Sequence, residues 1–373
     1  MKSKKLLFLL MSVSAALTVS AQTGYPRGIL FETFTGQECA SCSVGTQSLK
    51  DLYSEYEDNE RFVWLSHHAG YYSDSLTIKP SFDISSFCGV SAAPSLVYNR
   101  TLLALTGRKG RLINSCNDFA EYNEKYEEYY GETFIDNELA TLADVSLNIK
   151  TTYDKDTRDL EVTVFGEKNG NFDASAPALS IFLVSDYWVG WQTKGSEGQD
   201  FAYKHMNPVR IMLSDHYLGD MLEFDENGEY SVTINCKVPT SVNSFDAWTN
   251  RIGSVPTEVD DETLYVAAFI ANRDETPVDN INYDRDNIVV YNAARCSLGE
   301  ATQLSVRDCG VTEGDNVRVY ADNGNVCVDG DFESFQVYSL AGSAVEPTAL
   351  DKGIYLVKVN LGNGTVTKKL VVR

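Results

Sequence analysis

Cys39 and Cys42 stand three residues apart in the stretch ETFTGQECASCSVGTQSLKDLY, after a strand-like run and before a helix-like one. A C-x-x-C at such a junction suits thiol–disulfide exchange. The first sulfur meets unpaired helix N–H groups and the positive end of the helix dipole, which stabilise a thiolate. The second, one turn inside the helix, is placed to resolve a mixed disulfide. In that chemistry Cys39 is the exposed nucleophile and Cys42 the buried resolving thiol. An inert structural disulfide is the competing reading of the same spacing. Zinc fits less well, because a structural site wants four N or S ligands and only His67 or His68 is near. His68 and its neighbour His67 follow the next strand-like run, where an imidazole can stabilise a thiolate or move its proton. Histidines hydrogen-bonded at a strand end are the plainer alternative. Pro94, in GVSAAPSLVYN, precedes a further strand, and the backbone before it approaches the sulfurs if the Ala93–Pro94 bond is cis.

The elements that must position these groups are legible nearby. Residues 28–34 read as a buried strand, Val44 to Tyr56 as a helix with Leu49, Leu52, Tyr53 and Tyr56 at helical spacing, and 61–65 as a second strand. This is a βαβ unit with parallel strands, whose C-terminal ends share one edge. Ser95 to Asn99 gives another strand, and Gly110 to Tyr130 a tyrosine-rich helix. From about Ala140 to Leu298 the helical period disappears. Residues 145–150 alternate, turn at YDKDTRD and return at 160–164, an antiparallel hairpin with one buried face. Further strands are expected at Leu179–Val184, Glu229–Val238, Thr263–Ala271 and Asn287–Tyr291, and an antiparallel β-sandwich accommodates them. A last all-β segment runs from about Ser305 to Arg373.

Compartment changes what a cysteine means. The chain opens MKSKK, continues LLFLLMSVSAALTV and reaches Ser20-Ala21, which reads as a secretory signal peptide over residues 1–21. No later run approaches the ~20 apolar residues of a spanning helix. The formal charge of −22 argues against nucleic acid and anionic lipid as partners. The eight cysteines fall two by two along an exported chain, so Cys88 with Cys116, Cys236 with Cys296 and Cys309 with Cys327 are expected disulfides. No cofactor and no resident metal are implied. The aromatic run Tyr187 to Trp191 reads as either an exposed binding platform or the closing end of the sandwich, the latter favoured. His205 reads as structural, beside Arg210. The acidic groups DKDTRD and DENGEY lack the spacing of a calcium loop and read as hairpin turns.

A strand, a C-x-x-C at a helix start and a later Pro before a strand resemble the thioredoxin fold. FETFTGQECASCSVG with VSAAPSLVYNR is similar to the outer membrane protein 28-related family of Bacteroidetes. In that family an E-x-x-T-G…C-x-x-C stretch opens a thioredoxin-like domain and a Pro leads into an ending like Asn99-Arg100. GWQTKGSEGQDFAYKHMNPVRIML is similar to the family's β-rich part. The tail, FQVYSLAG and LDKGIYLVKVNLGNGTVTKKLVVR, resembles the C-terminal sorting domain of the type IX secretion system at Gly342, Gly353, Tyr355, Lys368 and Lys369.

The resemblance implies a multidomain α/β plus all-β chain. A thioredoxin-like domain spans 22–138, an antiparallel β-sandwich 139–299, a linker 300–304 and a small β-sandwich sorting domain 305–373. It also implies export to the outer membrane, cell surface or medium through the type IX machinery. The sequence departs from an active thioredoxin in having Glu38 before the first cysteine and Ala40-Ser41 between the pair. Glu38 opposes a thiolate at Cys39, and Glu32 is a candidate for the buried assisting carboxylate only if the alignment shifts by one. Two functions stay open. One is an exported thiol–disulfide oxidoreductase using Cys39, Cys42, Pro94 and His68 on thiol or disulfide proteins. The other is a surface adhesin or binding protein in which the pair is a staple and surface ligands are the partners.

Overall fold

The computed structural model describes residues 24–70, 72–105, 110–275 and 287–302. In the C-terminal segment it describes 317–322, 325–330, 332–339, 344–348, 350, 353–360 and 365–372. The expected signal peptide, Cys309 and Gly342 lie outside the described residues.

The first part is mixed α/β. Its elements are β1 (Tyr25–Pro26), β2 (Ile29–Thr35), α1 (Cys42–Gly45), α2 (Gln47–Ser54), β3 (Phe62–His68), α3 (Lys79–Cys88), β4 (Ser95–Tyr98), β5 (Ile113–Asn114), α4 (Cys116–Tyr130), α5 (Phe134–Ala140) and β6 (Leu142–Ala143). The sheet runs β3-β2-β4-β5. β2 and β3 are parallel, joined by the helical crossover, while β4 is antiparallel to β2. The expected single helix from Val44 is broken at Thr46 into α1 and α2. The expected Gly110–Tyr130 helix begins only at Cys116, because Ser115 caps it by accepting from Asp118 N. α3, which lies in KPSFDISSFC, was not expected.

Antiparallel sheets follow. The strands are β7 (Asn148–Asp154), β8 (Asp159–Glu167), β9 (Pro177–Ser185), β10 (Tyr187–Thr193), β11 (Gln199–Met206), β12 (Val209–Met212), β13 (Asp220–Met221), β14 (Glu229–Lys237), β15 (Ser241–Asp246), β16 (Arg251–Glu258), β17 (Leu264–Asn272) and β18 (Val290–Ser297). β14-β8-β7 form one sheet, β12-β9-β17-β18 another, and β10-β11 and β15-β16 are separate hairpins. The last strand of this part starts at Val290 rather than Asn287.

Three cores show how the layers stack. Ile29, Phe31, Trp64 and Tyr98 face α2, α4 and α5. On the other side of that sheet, Leu30, Phe34, Val63 and Leu65 pack with Ile84 of α3 and with Phe182, Val184, Tyr265 and Phe269 of the β9–β17 sheet. The opposite face of β9 and β17, with Ile181, Leu183, Val266 and Ala268, packs on Val162 and Val164 of β8. β9 and β17 are therefore covered on both faces. This explains why PALSIFLVS and LYVAAFIAN are near-continuous apolar runs, interrupted inside by Ser180, instead of alternating ones.

The C-terminal segment is antiparallel throughout. β19 (Arg318–Asp322) pairs with β20 (Asn325–Asp329). β21 (Ser334–Ser339), β22 (Ala344–Val345), β23 (Gly353–Asn360) and β24 (Thr365–Val372) form a sheet in the order β22-β21-β23-β24. Val337, Val357, Val359 and Leu370 make its core. Among the described residues no helix is long and apolar enough to cross a membrane.

Two expected disulfides are corrected. Cys88 and Cys116 are not joined, because they are buried in cores on opposite faces of the first sheet. Cys236 and Cys296 are both thiols. β18 runs on into residues that pair with β7, through Thr151 N to Glu300 O, whereas β14 lies beyond β8 at the far edge. With β8 and β7 between them, three strand spacings, roughly 14 Å, exceed the reach of a disulfide. Cys327 lies in β20, and its expected partner Cys309 is outside the described residues.

Candidate functional site

β2 ends at Thr35, and Gly36, Gln37 and Glu38 carry the chain into a tight turn where Cys39 N donates to Gly36 O at 3.2 Å. Cys42 opens α1, and Cys39 and Cys42 are joined as a disulfide with Cα atoms 5.3 Å apart. Cys39 keeps 8% of its surface exposed and Cys42 1%, so an incoming sulfur meets Cys39 first. The Ala93–Pro94 bond is cis. Ala93 O lies 3.4 Å from Cys39 Sγ, and Ser41 Oγ lies 3.4 Å from both. Pro94 packs on α1 so tightly that a Cβ on Gly45 would fall 2.4 Å from its Cγ. In the reduced state the Ala93 carbonyl can accept from the Cys39 thiol, and the Ser41 hydroxyl can turn to donate to a thiolate.

The other expected groups lie elsewhere. His68 is held at Nδ1 by Asp74 Oδ2 at 2.7 Å, and its ring meets that of His205 edge-on with centroids 5.1 Å apart. These contacts turn it to Asp74 and His205 and not to either sulfur. His67, one residue earlier, faces the other side of the sheet. Its Nδ1 is 2.8 Å from Ser81 Oγ, and its Nε2 is 3.4 Å from Glu32 Oε1. Glu32 is completely buried and takes a two-pronged ion pair from Arg100, Nε and Nη2 each at 2.8 Å. Burial, the largest influence, pushes the Glu32 carboxyl up. The Arg100 charge and hydrogen bonds, with His67 behind them, outweigh it and hold the carboxyl down to about 2. Glu32 is thus spoken for. Arg100 reaches it because Asn99 and Arg100 take left-handed backbone conformations, φ 45° and 47°, just past β4. Glu38 is exposed, where water screens its opposition to a thiolate.

The β10–β11 hairpin closes the site from above. Gln192 Nε2 donates to Cys39 O at 2.9 Å and Gly36 O at 3.2 Å, and Thr193 N donates to Gln37 O at 2.8 Å. Gln37 Nε2 returns a bond to Trp191 O at 3.1 Å, and its N–H donates to Asp74 Oδ2 at 2.8 Å. At the tip, an added Cβ on Gly195 would stand 3.9 Å from Ala40 Cβ. Tyr187 to Trp191 therefore does not close the end of a sandwich; it is one arm of this hairpin. His205, on the other arm, sits with His68 and Trp188 and bonds Trp191 O at 3.2 Å, not beside Arg210. Burial first, then the nearby His68, lowers its pKa to about 3, so it is neutral at physiological pH.

The chain is similar to HBP35 of Porphyromonas gingivalis. That solved structure shares 18% identity at a TM-score of 0.49, over 94% of this chain and 99% of the other. A domain of the outer membrane lipoprotein Omp28 from Porphyromonas gingivalis also matches. It shows 14% identity and a TM-score of 0.24, over 43% of this chain and 91% of that one. No protein-family model matches the chain, and no curated protein does.

Ser41, Gln192, Gln37 and Asp74 are the site residues that sequence reasoning missed. Ser41 carried a signal through its place inside the C-x-x-C. Gln192, about 150 positions away, carried none, because nothing local ties it to the cysteine turn.

Proposed function

We propose that the chain is an exported surface protein whose thioredoxin-like part exchanges disulfides through Cys39 and Cys42, with access governed by the β10–β11 hairpin. The observation that carries this reading is the bonded pair at the start of α1 with Ala93 O and Ser41 Oγ beside the more exposed sulfur. A substrate thiolate attacks Cys39 Sγ. The Cys39–Cys42 bond breaks, its electron pair leaves on Cys42 Sγ, and that sulfur takes up a proton. A second substrate thiolate attacks the substrate sulfur of the mixed disulfide and releases Cys39, which is protonated in turn. The pair has then gained two electrons and two protons, and the substrate holds a new disulfide. His68 supports the strand end through its bond to Asp74, and Pro94 shapes the turn facing the sulfurs. The N-terminal signal-like segment and the tail's V-Y-x-x-x-G and G-I-Y patterns support export by the type IX machinery to the outer surface.

A glutathione redox titration of the full chain tests the exchange, with alkylation and mass mapping following the Cys39–Cys42 pair. We expect it to titrate above about −300 mV, the ceiling of most structural disulfides. In the reverse direction Cys42→Ser should trap mixed disulfides, because the Cys39 thiolate attacks a substrate disulfide, the other substrate sulfur leaves as a thiol and no Cys42 thiolate resolves the product. A pair that stays oxidised below that potential overturns the reading. The hairpin clamp then gains its plainer meaning. Gln192 and Thr193 lock the cysteine turn, the pair is a staple, and the chain is a surface binding protein whose double variant Cys39→Ser with Cys42→Ser keeps its ligand binding.

A further inference from the structure

A second site lies where α3, β12 and the β15–β16 hairpin meet. An open groove of about 570 Å³ is lined there by Ile78, Met212, Val242, Phe245 and Ile252, with Arg210 among the lining residues. No Asp or Glu lines it, in a chain whose formal charge is −22. Lys79 at the rim is already paired with Asp83. Arg210 is not. The β12–β9 register shifts between Val209 and Ile211, so Arg210 is the extra residue of a bulge, a device that re-aims a side chain. It turns toward β16, where Nη2 donates to Thr257 Oγ1 at 2.8 Å and Thr257 O at 3.3 Å. Arg210 is only 2% exposed, and Nη1 has no hydrogen-bond partner. No carboxylate pairs with it among the described residues. Burial lowers its pKa to about 10, which leaves it charged at neutral pH.

A buried guanidinium with an unused donor is costly unless something anionic answers it. The first turn of the ten-residue α3 lines the same groove. Ile78 provides no side-chain cap there, so unpaired N–H groups add positive potential. We propose that this groove binds an aliphatic carboxylate, its chain along Ile78, Met212, Phe245 and Ile252 and its carboxylate on Arg210. The apolar walls favour a chain over a bare anion, and the single unanswered cation selects one acid group at one end. This site is independent of the cysteine pair.

Calorimetric titration of the full chain with decanoate, below its micelle concentration, tests this beside the neutral 1-decanol. Decanoate should bind one to one, at least about tenfold more tightly than 1-decanol, the loss usual for an unanswered charged hydrogen bond. Arg210→Met should erase that preference. Ile252→Asp, at an exposed rim position, should weaken decanoate without touching Arg210, so the test stands if Arg210→Met fails to fold. Equal binding of decanoate and 1-decanol overturns the proposal. So does decanoate affinity unchanged in both variants, or binding of a peptide's C-terminal carboxylate with none of decanoate.

Discussion

At Glu32 burial and charge pull in opposite directions, and the outcome fixes how the protein responds to acid. The carboxyl sits in the layer between two sheets, bonded by Arg100, whose guanidinium also lies 4.8 Å from the Phe269 ring centre. Its folded pKa is held down to about 2 from an ordinary 4.5. A depressed carboxylate contributes stability that is fully present above its unfolded pKa and is lost as pH falls toward the folded one. The window is therefore about pH 4.5 down to 2. Glu32→Gln would leave Arg100 buried without a counter-charge and should cost about 3–5 kcal/mol at pH 7. Near pH 3 the wild type has itself lost part of that stability, so the gap should narrow by roughly 2 kcal/mol. Urea unfolding of both proteins at the two pH values decides it. A gap that does not change with pH would mean that Glu32 is not the titrating group.

The β10–β11 hairpin is the element on which access to the cysteines turns. Gln192 Nε2 bonds two carbonyls of the cysteine turn, which also accept from Cys39 N and Cys42 N within the turn, so Gln192→Ala removes the side-chain bonds that hold the hairpin on the turn. Losing such buried bonds is worth ~1–3 kcal/mol, enough to speed dithiothreitol reduction of Cys39–Cys42 about tenfold if opening of the hairpin limits attack. Reduction timed by alkylation measures this; an unchanged rate would show that the sulfur is reached without moving the hairpin. Elements of this kind were the least legible in the sequence. The crossover from β2 to β3 and the β7–β8 hairpin could be read because periodicity and a polar turn state them locally. So could the cysteine turn and its meeting with Pro94, the latter through resemblance. α3 is not legible because serines and a proline blur its apolar period. The destination of Tyr187–Trp191, the partner of Glu32 and the bulge that redirects Arg210 depend on contacts between distant segments. Periodicity carries no such information, and composition pointed the aromatic run toward a sandwich end.

Across the molecule, the sheet of β9 and β17 serves two cores at once. Phe182, Val184, Tyr265 and Phe269 complete the core under β2 and β3, while Ile181, Leu183, Val266 and Ala268 complete the one under β8. The contact is also polar. Tyr265 Oη donates 3.1 Å from Trp64 O, Ser66 N donates to Asn207 O at 2.8 Å, and Asn292 Oδ1 accepts from Gly28 N at 2.7 Å. Gly28 is close enough that a Cβ there would fall 1.7 Å from Ala293 O. Without residues 177–297 the first α/β layer thus keeps α3 but loses the sheet that covers the rest of the face bearing Leu30, Phe34, Val63 and Leu65. A fragment ending at Ala140 would expose that apolar face and leave the Glu32–Arg100 pair open to water. At ~25 cal/mol per Å², uncovering four such side chains forfeits several kcal/mol, comparable with the whole stability of a small domain. Residues 24–140 expressed alone should therefore lack a cooperative thermal transition and bind a hydrophobic dye, whereas 24–302 should melt in one step by both near-ultraviolet circular dichroism and calorimetry. A sharp transition in the short fragment would mean that the α/β layer folds on its own and that the shared core is a docking contact.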